Sequence, residues 1–138
     1  MILLDTNVIS EVMKLRPEAA VMAWIDAQEV DDLCTCTIVA AEIFSGLDLM
    51  PAGRRQVQLR EKTEFMFSNL FAGRVLGFDL PAARAYGTIL KSRKAIGRPI
   101  DETDAFIGAI ALANGTKLAT RNTSHFGEIG IEVVNPWL

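Results

Sequence analysis

The sequence lacks several residues and segments on which whole classes of protein depend. Its two cysteines, Cys34 and Cys36, cannot form a disulfide framework, and no second cluster of cysteine or histidine can complete a zinc site. Its one histidine, His125, excludes the two-histidine mechanism of metal-free RNA cleavage. The longest apolar run, residues 105–113, is far shorter than the roughly 20 residues of a membrane-spanning helix. Any hydrolytic chemistry in this chain therefore requires carboxylates, hydroxyls or a bound metal.

The composition is that of a folded protein of one domain. Of the 138 residues, 50% are hydrophobic and 22% are charged, which excludes an intrinsically disordered chain. No linker or repeat interrupts the sequence, so we expect one domain over residues 1–138. The apolar residues 1–4 lack a basic flank, so we expect no secretory signal and a cytoplasmic protein. The mean hydropathy of +0.24 is high for a small monomer and predicts apolar surface buried against another chain.

Short apolar segments alternate with helical ones along the whole chain. This alternation predicts an α/β fold in three layers, with a central parallel sheet and helices on both faces. The predicted strands cover residues 2–5, 33–37, 75–78, 117–120 and 131–134. The predicted helices cover residues 8–14, 18–28, 39–49, 54–70, 81–94 and 103–113, with Pro17 and Pro81 at helix starts and Asn114-Gly115 at a helix end.

Four polar residues from distant parts of the chain fall at the same edge of the predicted sheet. Asp5 ends the first strand, and Asn122 follows the strand that ends at residue 120. Glu42 and Asp104 lie in the first turns of two predicted helices. Because strand carboxyl ends and helix amino ends share one edge of a parallel sheet, these side chains are expected to converge where ligands bind.

Three carboxylates brought to one place favour a divalent cation. Without a cation they repel one another, and at least one is driven toward its protonated form. Mg²⁺ and Mn²⁺ prefer an all-oxygen shell of this kind, and the bound ion activates water and offsets charge on a phosphodiester. Asp5, Glu42 and Asp104 therefore predict a metal-dependent phosphodiesterase.

Each of these residues also has a structural interpretation. Asp101 and Asp104 have the spacing of a helix capping box, which is worth about 1 kcal/mol without any metal. Glu42 on its own fits a solvated helix face, and Asn122 fits a turn. Asp5 is harder to explain in this way, because a charge directly after a buried strand must be paired or coordinated.

Five sequence blocks resemble the PIN-domain nucleases, in particular the VapC-type toxins of bacterial type II toxin–antitoxin modules. The blocks are ILLDTNV at residues 2–8, AAEI at 40–43, DAFIGA at 104–109, LATRNTSHF at 118–126 and NPW at 135–137. The last block is similar to the ending of the FitB-like branch of that family. The resemblance covers essentially the whole chain.

The resemblance implies a homodimeric endoribonuclease that depends on Mg²⁺ or Mn²⁺. Asp5 and Asp104 would be the core metal ligands, and Glu42 a third acid that binds the metal directly or through water. Thr6 would be a supporting hydroxyl beside the metal, and Thr120 or Ser124 would assist similarly. The implied partner is a small VapB-like antitoxin, which would cover the acidic groove with a C-terminal segment and supply the DNA-binding function.

Two further residues of the fourth block bear on mechanism. Many family members have an aspartate where this chain has Asn122, and an amide oxygen can bind Mg²⁺ but brings no charge. This departure favours a one-metal mechanism or a weak second site. The net charge of −3 gives little general attraction for RNA, so local contacts must hold it, and Arg121 is the candidate for a substrate phosphate.

Two other functions remain open from the sequence. A non-catalytic PIN-like binding domain would explain Asn122 as the mark of a weakened metal site, although it leaves three crowded carboxylates without a reason. A phosphohydrolase with an aspartyl-phosphate intermediate also begins with an aspartate after the first strand. That mechanism needs a second aspartate two residues later, where this chain has Asn7.

Overall fold

Five short strands form the central sheet, and their apolar side chains are buried or half-buried. The structure is a computed structural model that describes residues 1–138. The strands are β1 (Ile2–Leu4), β2 (Leu33–Cys36), β3 (Val75–Leu76), β4 (Lys117–Ala119) and β5 (Val133–Val134). All neighbours pair in parallel, in the order β3-β2-β1-β4-β5, as the alternation of strands and helices predicts.

The direction in which strands are added reverses at β1. The chain first places β2 and β3 on one side of β1 and then crosses over to place β4 and β5 on the other. Leu3 of β1 pairs with Cys34 on β2 and with Leu118 on β4. In sheets of this kind, a crevice opens beyond the strand carboxyl ends where the order reverses. Asp5 and Thr120 follow β1 and β4 at this place.

Six helices connect the strands. They are α1 (Thr6–Val12), α2 (Ala19–Asp26), α3 (Thr37–Asp48), α4 (Arg54–Phe65), α5 (Leu80–Ala95) and α6 (Glu102–Asn114). Asp79 starts α5 by accepting a hydrogen bond from the Ala82 amide at 3.1 Å. Gly115 ends α6 with a φ of 64°, a left-handed conformation that costs glycine little. No helix is both long enough and apolar enough to cross a bilayer.

The core is one cluster of 25 buried residues centred on β1 and its two neighbours. Leu3 and Leu118 are fully buried in the sheet, and Ile110 of α6 packs into the same cluster. Cys34 and Cys36 are also fully buried, and burial raises the pKa of both thiols to about 11. The two cysteines are therefore small apolar core residues, as predicted, and not metal ligands.

All the predicted elements are present, and the differences lie at their ends. Pro17 does not start α2, which begins two residues later, because the preceding Glu18 amide donates to the Glu11 carboxylate at 3.2 Å. The predicted helix over residues 54–70 is α4 followed by a π-helical turn over Met66–Leu70. The last strand is shorter than predicted, since Ile131 lies outside β5.

Candidate active site

Asp5 is the most buried acid of the predicted site, with only 5% of its surface exposed. Its Oδ1 accepts a hydrogen bond from the Thr6 amide at 2.8 Å, which also caps α1. Its Oδ2 accepts one from the Thr120 hydroxyl at 2.7 Å and a longer one from Asn7 Nδ2 at 3.4 Å. No lysine or arginine forms an ion pair with this carboxylate.

Asn7 and Thr120 tie the ends of β1 and β4 together. Asn7 Nδ2 donates to Thr120 Oγ1 at 3.2 Å, and Asn7 Oδ1 accepts from the Arg121 amide at 3.2 Å. The Asn122 amide also donates to Thr120 Oγ1, at 3.1 Å. The predicted residues Thr120 and Asn122 therefore lie beside Asp5, and Asn122 contributes its backbone amide to the network while its side chain is exposed.

Glu42 reaches the same edge from the first turns of α3. Its Oε1 accepts a hydrogen bond from the Thr6 hydroxyl at 2.5 Å, and its other carboxylate oxygen has no protein partner. Thr6 thus contacts both acids, with its amide on Asp5 and its hydroxyl on Glu42.

Asp104 lies in the first turn of α6, and its partner is His125. His125 Nδ1 lies 3.1 Å from Asp104 Oδ2, and the Asp104 side chain is 20% exposed. The capping-box interpretation is wrong, because Asp101 makes no side-chain cap hydrogen bond and Asp104 points to His125 instead. His125 therefore belongs to this site.

The acids affect one another electrostatically. Burial raises the pKa of the Asp5 carboxyl above its usual range, and the hydrogen bonds from Thr120 and Thr6 oppose this only partly. The charge of Asp104 raises the pKa of Asp5 further, whereas His125 lowers it. Burial therefore disfavours the ionised form of this carboxylate unless a cation compensates its charge.

The same causes act on Asp104. Burial raises its pKa, and the hydrogen bond and charge of His125 lower it by less. The charges of Asp101 and Glu42 raise it further. The charge of Asp104 thus acts on Asp5, and the charge of Glu42 acts on Asp104.

The donor chemistry of this edge fits a hard divalent cation, although the side chains do not converge fully. No three ligating side chains lie close enough to form a closed ligand set. Asp5, Glu42 and Asp104 supply carboxylate oxygens only, which is the chemistry that Mg²⁺ and Mn²⁺ prefer. Mg²⁺ usually keeps several waters and binds through one or two carboxylates, so an open set of acids suits it.

Ser124, a predicted supporting residue, and Arg121, the predicted phosphate contact, are placed differently from the other predicted site residues. The Ser124 hydroxyl makes no hydrogen bond, and it is the Ser124 carbonyl that accepts one, from Arg93 at 3.2 Å. The Arg121 guanidinium lies 5.0 Å from the centre of the Trp137 ring, in a cation–π contact. Arg121 remains exposed, so its side chain is accessible to a ligand.

A groove of about 250 Å³ runs away from Thr6 and Glu42 between α1, α3 and α4. Its floor is apolar, and two cationic side chains line it. The apolar lining residues are Met13, Ile43, Leu47, Met50 and Leu59, and the cations are Lys14 and Arg55. The groove is thus an accessible surface that is continuous with the acidic edge.

Asn7 and His125 are site residues that the sequence prediction missed. Both lie inside the blocks that carried the family resemblance, at residues 2–8 and 118–126. Asn7 lies in the first turn of α1, only two residues after Asp5, so its nearness along the chain is the one signal that it lies close to this acid. His125 gives no such signal, because its contact with Asp104 spans 21 residues of sequence.

Comparison with known proteins shows relatives that span almost the whole chain. The plasmid stability protein StbB of Pseudomonas syringae pv. tomato is 50% identical over 137 residues, covering 99% of each chain. The VapC ribonuclease Y4jK of Sinorhizobium fredii is 45% identical over 99% of this chain and 98% of its own. The toxin FitB of Neisseria gonorrhoeae is 39% identical over 99% of each chain.

Solved structures show the same fold. FitAcB from Neisseria gonorrhoeae superposes with a TM-score of 0.93 at 39% identity, over 99% of both chains. FitAB bound to an IR36 DNA fragment superposes with a TM-score of 0.94, over 100% of this chain and 96% of that one. The family model of the PIN domain matches residues 2–131. The parallel sheet, the acids at its carboxyl edge and these matches agree, and the chain belongs to the PIN domain family.

Proposed function

We propose that this protein is a Mg²⁺- or Mn²⁺-dependent endoribonuclease and the toxin of a VapBC-type toxin–antitoxin module. The observation that carries the proposal is the buried Asp5 carboxylate, which lies at the sheet's crevice beside Asp104 and has no cationic partner. Burying such a group is costly unless something compensates its charge, and a divalent cation does so. The names of the relatives, a VapC ribonuclease and a FitB toxin, support the same function.

Asp5, Asp104 and Glu42 hold the ion in this proposal. The bound ion supplies charge stabilisation for the phosphodiester and an activated water. Thr120 and the Thr6 amide fix the Asp5 carboxylate, so the direction of its oxygens is set before the ion binds. The side-chain amide of Asn122 adds no negative charge to the site, which favours one strongly bound metal ion over two.

The substrate is RNA, and it is held by local cations. The Arg121 side chain is exposed, and its backbone amide is fixed by Asn7. In this proposal the Arg121 guanidinium contacts a substrate phosphate. Arginine matches the two oxygens of a phosphate and stacks on an aromatic ring at the same time, as Arg121 does on Trp137.

The proposed partner is a VapB-like antitoxin that covers the groove beside Glu42 and contributes the DNA binding of the complex. Structures of FitAB bound to DNA and of FitAcB support this assignment. We also propose that the chain is a homodimer and acts in the cytoplasm. Apolar side chains such as Leu80 and Leu90 of α5, 63% and 38% exposed, are available for contact with a second chain.

The test is cleavage of total cellular RNA by the purified chain without antitoxin. We expect discrete fragments with Mg²⁺ or Mn²⁺ and none with EDTA. Asp104→Asn and Asp5→Ala should each abolish cleavage, because each removes a metal-holding carboxylate. Asp26→Asn is the matched control, since Asp26 is exposed and makes no ion pair, and it should cleave like the wild type.

Two results would contradict the proposal. Cleavage that persists in EDTA, or in both site variants, would show that the acids and their metal are not required. A folded wild type that neither binds Mn²⁺ nor cleaves RNA would instead support a non-catalytic binding domain. A covalent phosphoenzyme on Asp5 would indicate the phosphohydrolase chemistry.

A further inference from the structure

Arg93, on the last turns of α5, is a buried arginine without an acidic partner. Only 6% of its surface is exposed, and it forms no ion pair. A buried charge of this kind is retained at a cost unless its donors are satisfied. Arg93 belongs neither to the predicted metal ligands nor to the substrate contact, so its burial needs a separate explanation.

Nε and Nη1 of the Arg93 guanidinium donate hydrogen bonds to backbone carbonyls from two loops. Nε donates to the Arg98 carbonyl at 2.7 Å, on the turn after α5. Nη1 donates to the Ser124 carbonyl at 3.2 Å and to the Gly127 carbonyl at 3.0 Å. Ser124 and Gly127 lie on either side of His125 in sequence. Arg93 therefore binds both ends of the turn that carries this histidine.

The turn held by Arg93 places His125 against Asp104. His125 is itself 54% exposed, so packing alone does not fix its ring. Arg93, Asp101, Asp104 and His125 line one small cavity of about 190 Å³ beside the acidic edge. Arg93 and Asp104 are thus connected through a single turn of backbone, which carries His125.

We propose that Arg93 is a positioning residue, which holds the 124–127 turn so that His125 orients the Asp104 carboxylate toward the metal. The inference rests on the proposed metal site and extends it to a residue that touches neither metal nor RNA. Partners of ligating carboxylates typically change metal affinity or activity by about 10–100-fold when removed. His125 is such a partner of Asp104. Arg93 acts on Asp104 indirectly, through the turn that carries His125.

The geometry explains why this position needs arginine. A guanidinium presents several N–H donors in one rigid plane, so it can bind three carbonyls that face different directions. A lysine has the same charge but a single ammonium on a flexible stem, which cannot reproduce the bonds to residues 98, 124 and 127 together. Arg93→Lys therefore removes the hydrogen bonds that hold the 124–127 turn but keeps the positive charge. It is the informative variant.

The first readout is the imidazole spectrum of His125, which is unambiguous because the chain has one histidine. In the wild type we expect an ordered ring with the proton on Nδ1, facing Asp104, in long-range ¹H–¹⁵N correlation spectra. Arg93→Lys should shift the ring toward the Nε2-protonated form of free imidazole, and Asp104→Ala, which removes the acceptor, should do the same. Arg84→Lys is the matched control, since Arg84 is exposed on the same helix, and its spectrum should equal the wild type's.

The second readout is Mn²⁺ affinity, measured by electron paramagnetic resonance. Arg93→Lys and His125→Phe should each weaken Mn²⁺ binding by about tenfold, and Arg84→Lys should leave it unchanged. In RNA cleavage, Arg93→Lys should lower kcat with little change in KM, because the substrate contacts remain. His125→Phe keeps the test valid should Arg93→Lys fold poorly, since His125 is largely exposed.

These outcomes separate the inference from the proposed function. An unchanged His125 spectrum and unchanged Mn²⁺ affinity in Arg93→Lys would overturn the positioning role, even in an active ribonuclease. A changed spectrum in a chain that cleaves no RNA would support the role of Arg93 while contradicting the ribonuclease. A loss of Mn²⁺ affinity in Arg84→Lys equal to that in Arg93→Lys would also overturn the role, because the loss would then not depend on the hydrogen bonds that Arg93 makes to the 124–127 turn.

Discussion

At the scale of single residues, the site contains two acids, Asp5 and Asp104, whose ionised forms are disfavoured by burial. The pKa of Asp104 is raised, first by burial and then by the charges of Asp101 and Glu42, against the contribution of His125. An acid whose pKa is higher in the folded state binds its proton more tightly there. Stability therefore falls as pH rises from the unfolded-state pKa, near 3.8, through the folded-state pKa, and it stays lower above that pH.

The loss of stability on ionisation of Asp104 gives a prediction for Asp104→Asn. In EDTA at neutral pH the variant should unfold at a higher temperature than the wild type, because it lacks the unfavourable charge. The difference should disappear in acid, below about pH 3.8, where the wild-type carboxyl is protonated in both states. Added Mn²⁺ should stabilise the wild type more than the variant. Thermal unfolding of the wild type, Asp104→Asn and the control Asp26→Asn across this pH range measures the difference in unfolding temperature. An Asp104→Asn protein less stable than the wild type in EDTA at neutral pH would contradict the prediction.

At the scale of elements, the packing of α5 on α6 determines where Asp104 lies. Gly108 of α6 is buried against α5, and a Cβ built there would lie 2.9 Å from Ile129 Cδ1 and 3.4 Å from Ile89 Cδ1. Gly87 of α5 has no atom within 4 Å of such a Cβ. The two helical glycines therefore differ in what they contribute to stability. Gly108 leaves space for Ile129 and Ile89, whereas Gly87 only weakens its helix.

Substitution at these two glycines should change stability in opposite directions. Gly87→Ala should raise the free energy of unfolding by about 0.5–1 kcal/mol, because alanine favours the helix and fits the open space. Gly108→Val should lower it by about 1–3 kcal/mol through overpacking against Ile129 and Ile89. Urea unfolding of both variants measures the difference, and a stabilised Gly108→Val would show that the helices can separate at no cost.

The elements themselves could be predicted from the sequence because their signals are local. Apolar runs predict the strands, Gly115 ends α6 as predicted, and Pro81 lies in the first turn of α5 as predicted. Predictions failed where a distant residue competes for a local group. Pro17 does not open α2, since Glu11 binds the Glu18 amide, and Asp101 is not a capping side chain.

At the scale of the whole molecule, the site follows from topology more than from any one segment. The carboxyl-edge rule predicts that Asp5, Glu42 and Asp104 meet, and in the fold Asp104 raises the pKa of Asp5 while Glu42 raises the pKa of Asp104. The rule cannot predict how closely they converge or which neutral groups hold them. Those details depend on contacts such as Asn7 with Thr120 and Arg93 with the 124–127 turn, which exist only in the assembled fold.

The most direct test of the central claim is to locate the cation by anomalous diffraction from crystals grown with Mn²⁺. The anomalous peak should lie at the carboxyl edge of the sheet, in contact with oxygens of Asp5 and Asp104 and bound to Glu42 directly or through water. Asp104→Asn crystals grown in the same way should show a weaker peak or none. A Mn²⁺ ion bound elsewhere in the protein, or no ion at concentrations that support RNA cleavage, would contradict the assignment of these acids as the metal site.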